Sequence, residues 1–163
     1  MESYMNRISN TGIVPVVKIL EKEDAYPLAK ALLNGGIDVI EVTYRSEHAT
    51  SAIQTISEQL PDMLVGAGTV LSVEQAKEAV EAGAKFIITP GFNTKVVQWC
   101  LDHDVEVYPG VSTASEVEMA LSMGLTQLKF FPAESSGGAK KLKDLSAPSV
   151  SYTHLTLPTK LEV

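Results

Sequence analysis

The sequence predicts an α/β fold in which buried strands alternate with helices and form a parallel sheet. Short apolar runs rich in β-branched residues recur at intervals of about 20 to 26 residues, and the segments between them carry apolar residues at the three- and four-residue spacing of a helix. The strand runs are apolar throughout instead of alternating with polar residues, which indicates burial on both faces of the sheet. This regular succession is the pattern of an α/β domain.

Six strands and six helices are predicted along the chain. The strands are expected at residues 13–19, 39–44, 63–70, 86–90, 106–111 and 128–131, and the helices at 24–33, 49–60, 73–82, 95–102, 115–122 and 138–145. Ser46, Ser72 and Thr113 precede helices at positions where a side-chain oxygen can cap the first turn. Gln75 and Glu116 follow Ser72 and Thr113 by three residues, which is the spacing of a capping box.

The alternation leaves two architectures open, a doubly wound open sheet and a TIM (β/α)8 barrel. No G-x-G-x-x-G segment follows the first predicted strand, which argues against the dinucleotide-binding form of the open sheet. In a barrel the carboxyl ends of all strands meet at one mouth, where active sites lie. Polar or chemically unusual residues do end successive strands here, namely Lys18, Glu41, Arg45, Thr69, Pro90, Pro109 and Lys129. We therefore favour the barrel.

About six of the eight β/α units of such a barrel are expected in this chain. Each unit takes about 20 to 26 residues, and only 15 residues follow Pro148, too few for two more units. Residues 150–159 resemble a translated sequencing adapter. We therefore expect an incomplete barrel domain at 1–148 and a non-native tail at 149–163. Such a chain would leave strand edges unpaired, so we expect it to be poorly soluble or inactive as written.

Composition argues against several classes of function. The formal net charge is -7 at pH 7 and no basic cluster is longer than Lys140-Lys141, which disfavours nucleic acid and anionic membrane as partners. The single Cys100 excludes an internal disulfide and fits a reducing compartment. No signal peptide and no run of about 18 to 20 apolar residues is found, so a cytoplasmic protein is expected. His48 and His103 lack metal-ligand spacing, so no metal site is predicted.

Lys129 is the sharpest chemical feature of the sequence. It lies inside the apolar run Leu128-Lys129-Phe130-Phe131-Pro132, where a lysine is unusual unless its amine has a task. Apolar surroundings disfavour the ammonium form, and a neutral amine can attack a carbonyl to form a Schiff base. The alternative is a structural lysine whose amine extends from the strand end into solvent.

Glu41 is a second charged residue within an apolar strand, in Ile40-Glu41-Val42. A partly desolvated carboxyl group is suited to moving protons near neutral pH. Arg45 lies four residues further on and could bind a carboxylate through two parallel hydrogen bonds. A structural ion pair of Glu41 with Arg45 or with Lys129 is the alternative.

Weaker signals lie at three other strand ends. The small residues of Gly66-Ala67-Gly68-Thr69 would let backbone N–H groups approach a ligand, although tight packing explains them equally well. Pro90 and the glycine that follows it could simply belong to a turn, without a binding role. Lys18 could meet an anionic substrate group or face solvent.

Six strand-end segments, taken in order, resemble the 2-keto-3-deoxy-6-phosphogluconate (KDPG) and 4-hydroxy-2-oxoglutarate (KHG) aldolase family. The resemblance covers about residues 12 to 148. The segments are Val14-Pro15-Val16-Val17, Ile40-Glu41-Val42-Thr43-Tyr44-Arg45, Val65-Gly66-Ala67-Gly68-Thr69-Val70, Thr89-Pro90-Gly91, Pro109-Gly110-Val111-Ser112-Thr113 and Lys129-Phe130-Phe131-Pro132-Ala133-Glu134.

The resemblance implies a (β/α)8 barrel, a homotrimer and a place in the Entner–Doudoroff route of carbohydrate metabolism. It implies reversible cleavage of a phosphorylated or related 2-keto-4-hydroxy acid to pyruvate and an aldehyde, either glyceraldehyde 3-phosphate or glyoxylate, without metal or cofactor. It assigns Lys129 as the Schiff-base lysine and Glu41 as the general acid/base. The substrate-binding positions that it implies are Arg45 and Thr69 at the pyruvate carboxylate, Pro90 and Phe131 in the pocket wall, and Lys18 near the phosphate.

Two other interpretations stay open at this point. The chain could be another phosphate-handling barrel enzyme, an isomerase or decarboxylase, in which Lys129 acts electrostatically or in proton transfer. It could also be an inactive fragment that only binds.

Overall fold

The computed structural model describes residues 4–146, which form alternating strands and helices as predicted. The strands are β1 (Val16–Val17), β2 (Val39–Thr43), β3 (Leu64–Gly68), β4 (Phe86–Thr89), β5 (Glu106–Val111) and β6 (Lys129–Phe130). The α-helices are α1 (Tyr4–Thr11), α2 (Ala25–Asn34), α3 (Ala49–Gln59), α4 (Val73–Glu81), α5 (Thr94–Asp102), α6 (Ala114–Ser122) and α7 (Gly138–Ser146), and a 3-10 turn covers Lys22–Asp24. The tail predicted at 149–163 lies outside the described residues.

The six strands form one parallel sheet in the order β1-β2-β3-β4-β5-β6. A doubly wound sheet reverses its strand order at a switch point, whereas this order follows the sequence without reversal. The sequential order is that of a barrel wall, and it removes the open-sheet alternative.

The sheet is strongly curled. Lys129 on β6 and Glu41 on β2 are separated by four strand spacings, about 19 Å across a flat sheet at roughly 4.8 Å per spacing. Their side chains nevertheless approach to 4.0 Å between Nζ and Oε1. Two side chains cannot bridge that width on a flat sheet, so the sheet bends around them and both lie on its concave face.

Both faces of the sheet are buried along β2, β3 and β4, as the apolar strands predicted, whereas Val16 of β1 is exposed. Val39 and Glu41 point to the concave face, where an inner cluster of buried residues lies, formed by Ile8, Val14, Val39, Leu64, Phe86, Ile88 and Tyr108. The alternate strand residues, among them Ile40 and Val42, belong to a larger core between the sheet and the helices. Within the inner cluster the rings of Phe86 and Tyr108 lie 5.8 Å apart between centroids.

Helix α1 was not predicted, and it covers the amino-terminal end of the strands. Ile8 is 1% exposed and packs in the inner cluster. Arg7 Nε donates to Asp38 Oδ2 at 2.7 Å, just before β2. The backbone N–H of Tyr4 donates to Glu106 Oε1 at 2.9 Å, at the start of β5. A short, mostly polar helix with a single buried residue has no repeated apolar spacing, so periodicity does not predict it.

Two of the three predicted caps are confirmed. Ser72 accepts from the backbone N–H of Gln75, and Thr113 forms a capping box with Glu116. The predicted cap at Ser46 is wrong. Helix α3 starts at Ala49 after His48, and among the described residues no side chain caps it. The first strand is also shorter than predicted, reduced to Val16–Val17. In the part of the chain that the structure describes, the helices are too short or too polar to cross a membrane.

A tight steric constraint in the inner layer is at Gly66, which pairs with Phe86 across β3 and β4. A Cβ atom at position 66 would lie 2.0 Å from the Phe86 ring. We predict that Gly66→Ala lowers the free energy of unfolding by about 1–3 kcal/mol, as overpacking does. Urea denaturation measures the loss. Gly91→Ala is the matched control, because a Cβ there meets none of the described residues within 4 Å. An equal loss in both variants would contradict the prediction.

Candidate active site

The concave face carries a buried amine and a buried carboxyl group. Lys129 is the first residue of β6 and pairs with Gly110 of β5. It is 8% exposed. Glu41 lies in the middle of β2 and is fully buried. Both are charged residues in apolar strands, and the curled sheet brings their side chains together on one face.

Lys129 Nζ lies between an acid and an aromatic ring. It is 4.0 Å from Glu41 Oε1 and 4.9 Å from the centroid of the Phe131 ring. The ring face offers a weakly attractive surface to a cation and a dry wall to a neutral amine. The distance to Glu41 is too long for a hydrogen bond, so that carboxyl group does not occupy the amine.

Burial dominates the electrostatics of Glu41. Among the residues that the structure describes, neither carboxyl oxygen has a hydrogen-bond partner. Desolvation therefore raises the pKa of Glu41 above its ordinary value, although the charges of Lys129 and Arg45 act against that rise. A carboxyl group in this state exchanges its proton closer to neutral pH than a solvated one.

Arg45 lies at the mouth of the curled sheet and is exposed. Its Nε donates to Thr43 Oγ1 at 3.3 Å, and Thr43 Oγ1 donates to the carbonyl of Val17 at 2.8 Å. Thr43 thus links β2 to β1 and orients the guanidinium, a function that sequence reasoning missed. A threonine inside a buried strand was the available signal. Lys18 follows β1 and is exposed.

Thr69 and Pro90 follow β3 and β4 at the same end of the sheet. Thr69 has a φ of 56°, and for a β-branched residue this left-handed conformation is strained and typical of functional sites. Pro90 helps to line a cavity of about 670 Å³ together with Val70, Leu71, Phe92 and Lys95. Neither Lys129 nor Glu41 lines that cavity, so it does not contain the reactive pair.

A desolvated amine next to a carboxyl group with a raised pKa is the arrangement expected in an enzyme that reacts with carbonyl compounds through an imine. Comparison with known proteins agrees with that class. The family model described as KDPG and KHG aldolase matches residues 4–159. The chain belongs to this family, and it is a lyase of the aldolase type.

Relatives in two bacteria illustrate the match. The chain is 46% identical over 148 residues to the 2-dehydro-3-deoxy-phosphogluconate aldolase of Treponema pallidum, covering 91% of this chain and 70% of that protein. It is 44% identical over 142 residues to the KHG/KDPG aldolase of Escherichia coli K12, covering 86% of this chain and 67% of that protein.

A solved structure extends the similarity to the backbone. The crystal structure of KDPG aldolase from Legionella pneumophila, with pyruvate captured at low pH as a covalent carbinolamine intermediate, has a TM-score of 0.87 and 38% identity to this chain. The match covers 91% of this chain and 72% of that one. The curled parallel sheet is therefore shared with an aldolase of known structure.

The buried carboxyl group makes stability depend on pH in a defined direction. Because the pKa of Glu41 is raised in the folded state, the native protein binds more protons than the unfolded chain above the ordinary value of 4.5. Wild-type stability therefore falls as pH rises from that value through the native pKa. We predict that Glu41→Gln raises the free energy of unfolding by roughly 1 kcal/mol at neutral pH, which corresponds to a Tm higher by about 2–4 °C.

Calorimetry across pH 4 to 8 tests this, with the Tm difference small at the acidic end and growing as pH rises. Glu81→Gln, on the exposed end of α4, controls for loss of one negative charge. A Tm difference that shrinks as pH rises would mean that the pKa of Glu41 is lowered instead.

The strained backbone at Thr69 yields a second prediction. Thr69→Gly should raise the free energy of unfolding by about 1 kcal/mol, because glycine adopts a positive φ without strain. It should also raise KM, since the hydroxyl at the site is lost. Asp104 has a φ of 55° before β5, at the opposite end of the sheet. Asp104→Gly should therefore gain stability with an unchanged KM, and a KM change in both variants would contradict a binding role for Thr69.

Proposed function

We propose that this chain carries the active site of a class I aldolase that reversibly cleaves KDPG, KHG or both to pyruvate and glyceraldehyde 3-phosphate or glyoxylate. Lys129 is the Schiff-base lysine and Glu41 the general acid/base. The observation that supports this most is the 4.0 Å approach of a nearly buried amine to a fully buried carboxyl group in a chain of the aldolase family.

The reaction begins when the neutral Nζ of Lys129 attacks C2 of the keto acid. The carbinolamine takes up a proton, loses water and becomes a cationic iminium, which accepts the electron pair of the C3–C4 bond as that bond breaks. The C4 hydroxyl proton passes to the Glu41 carboxylate and the aldehyde leaves. The enamine then takes a proton at C3, and water hydrolyses the resulting iminium to pyruvate and free Lys129.

The raised pKa of Glu41 suits both directions of proton transfer. As a carboxylate it accepts the C4 hydroxyl proton, and as an acid it can return a proton to the enamine. A pKa near the working pH favours a group that must do both in one cycle. The Nζ–Oε1 separation of 4.0 Å is short enough for one bound substrate to contact both groups.

The other predicted residues bind the substrate in this proposal. Arg45 and Thr69 hold the pyruvate carboxylate, and the Thr43 hydroxyl orients the Arg45 guanidinium. Phe131 forms the wall beside the Lys129 amine, and Pro90 closes the neighbouring side. The exposed Lys18 faces the phosphate of the substrate.

We extend the proposal to the setting of the enzyme. The six β/α units belong to an eight-unit barrel, the subunits form a homotrimer, and the enzyme works in the cytoplasm in the Entner–Doudoroff route. The single Cys100 fits a reducing compartment. Its thiol is buried, which raises its pKa to about 12 and disfavours the reactive thiolate.

Imine trapping tests the assignment of Lys129. Incubation with pyruvate and borohydride should add one reduced pyruvate adduct, located at Lys129 by peptide mass spectrometry. Lys129→Met should abolish the adduct and lower cleavage of KDPG by several orders of magnitude, because the nucleophile is lost.

Lys77→Met is the matched control, because Lys77 is exposed on α4; it should keep both the adduct and the cleavage rate. Cleavage of KDPG without any trapped adduct would instead support a lysine that acts electrostatically. An adduct on another lysine would overturn the assignment.

A further inference from the structure

We propose that Gly68 is a positioning residue for Glu41: it leaves vacant the space that the Glu41 carboxyl group occupies, and so fixes that group beside Lys129. The inference rests on the proposed proton-transfer role of Glu41. It gives a physical reason for the second glycine of Gly66-Ala67-Gly68-Thr69, which local sequence patterns leave open.

The geometry places the two residues in one volume. Gly68 ends β3 and pairs with Thr43 of β2, so Glu41 lies two residues earlier on the same face. A Cβ atom at position 68 would lie 1.8 Å from Oε1, 2.4 Å from Cδ and 2.5 Å from Cγ of Glu41. The whole end of the glutamate side chain therefore occupies the space of the missing methyl group, and Oε1 is also the oxygen nearest to Lys129 Nζ.

Backbone conformation does not explain a glycine at this position. Gly68 is a strand residue outside the left-handed region of φ, where alanine is allowed. Its carbonyl accepts a hydrogen bond from the backbone N–H of Tyr44 at 2.8 Å, a bond that any residue can form. The remaining explanation for a glycine here is the space that the Glu41 side chain needs.

The neighbouring glycine shows that this demand is specific to position 68. Gly66 also faces the sheet interior, but the ring of Phe86 fills the space beside it. One glycine of β3 thus accommodates a packing residue, and the other accommodates the proposed catalytic carboxyl group. Substitution at the two positions should have different consequences.

A methyl group at position 68 would displace the carboxyl group of Glu41. Non-bonded carbon contacts lie near 3.5–4.0 Å, so the group must move by more than about 1 Å from its present position. Misplacement of a reacting group by about 1 Å can cost roughly 100-fold in rate. Lys129 lies on β6, which does not pair with β3, so the nucleophile stays in place and imine formation should survive.

The experiment is a double-mutant cycle on the full chain. Gly68→Ala should lower kcat for KDPG cleavage by about 100-fold with a small change in KM, while borohydride still traps pyruvate on Lys129. In the Glu41→Asp background, whose side chain is shorter by one methylene, the same substitution should lower kcat by less than about 3-fold. Coupling of that size shows that the two residues act together.

Gly66→Ala is the matched control on the same strand, and its effect should be the same in both backgrounds. A second measurement does not require activity: the urea midpoint should fall in Gly68→Ala and recover when Glu41→Ala is added. Gly68→Ala with normal kcat and urea midpoint, or with equal losses in both backgrounds, would overturn the inference. Absence of a pyruvate adduct in the wild type would instead count against the proposed function and leave the steric coupling measured by urea as a separate result.

Discussion

The contact between Lys129 and Glu41 requires the sheet to be curled. The two residues lie on β6 and β2, and only a sheet bent through four strand spacings brings Nζ and Oε1 to 4.0 Å. The curl creates a concave interior. The strands follow one another around it in sequence order, without any reversal. Because both side chains lie within that interior, each is removed from water and each sets the electrostatic environment of the other.

The interior is divided along the strand direction into a stable end and a reactive end. At the amino-terminal end, apolar residues fill the space and α1 closes it through Ile8 and the Arg7–Asp38 ion pair. Toward the carboxyl-terminal end lie the features that cost stability: the Glu41 carboxyl group, which has no hydrogen-bond partner among the described residues, and a left-handed threonine at Thr69. Such features persist when the surrounding structure holds them in place. The buried helix-facing core supplies that support.

Much of this could be predicted from local sequence. Five of the six strands were located to within two residues at either end, because apolar runs and helical periodicity are local signals. Lys129 and Glu41 stood out because a charge in a buried strand is costly. The short α1, the Arg45–Thr43 contact and the steric role proposed for Gly68 could not be predicted in this way. They depend on which residues of different strands face each other once the sheet curls, and a pattern within one segment does not contain that register.

The most direct measurement is a titration of the Glu41 carboxyl carbon by NMR in the wild type and in Lys129→Met. Burial raises the pKa of Glu41 and the Lys129 charge opposes that rise. We expect a wild-type pKa above the ordinary value and a higher one still in Lys129→Met. A pKa at or below the ordinary value, or one that is unchanged by removal of Lys129, would contradict a desolvated and electrostatically coupled pair.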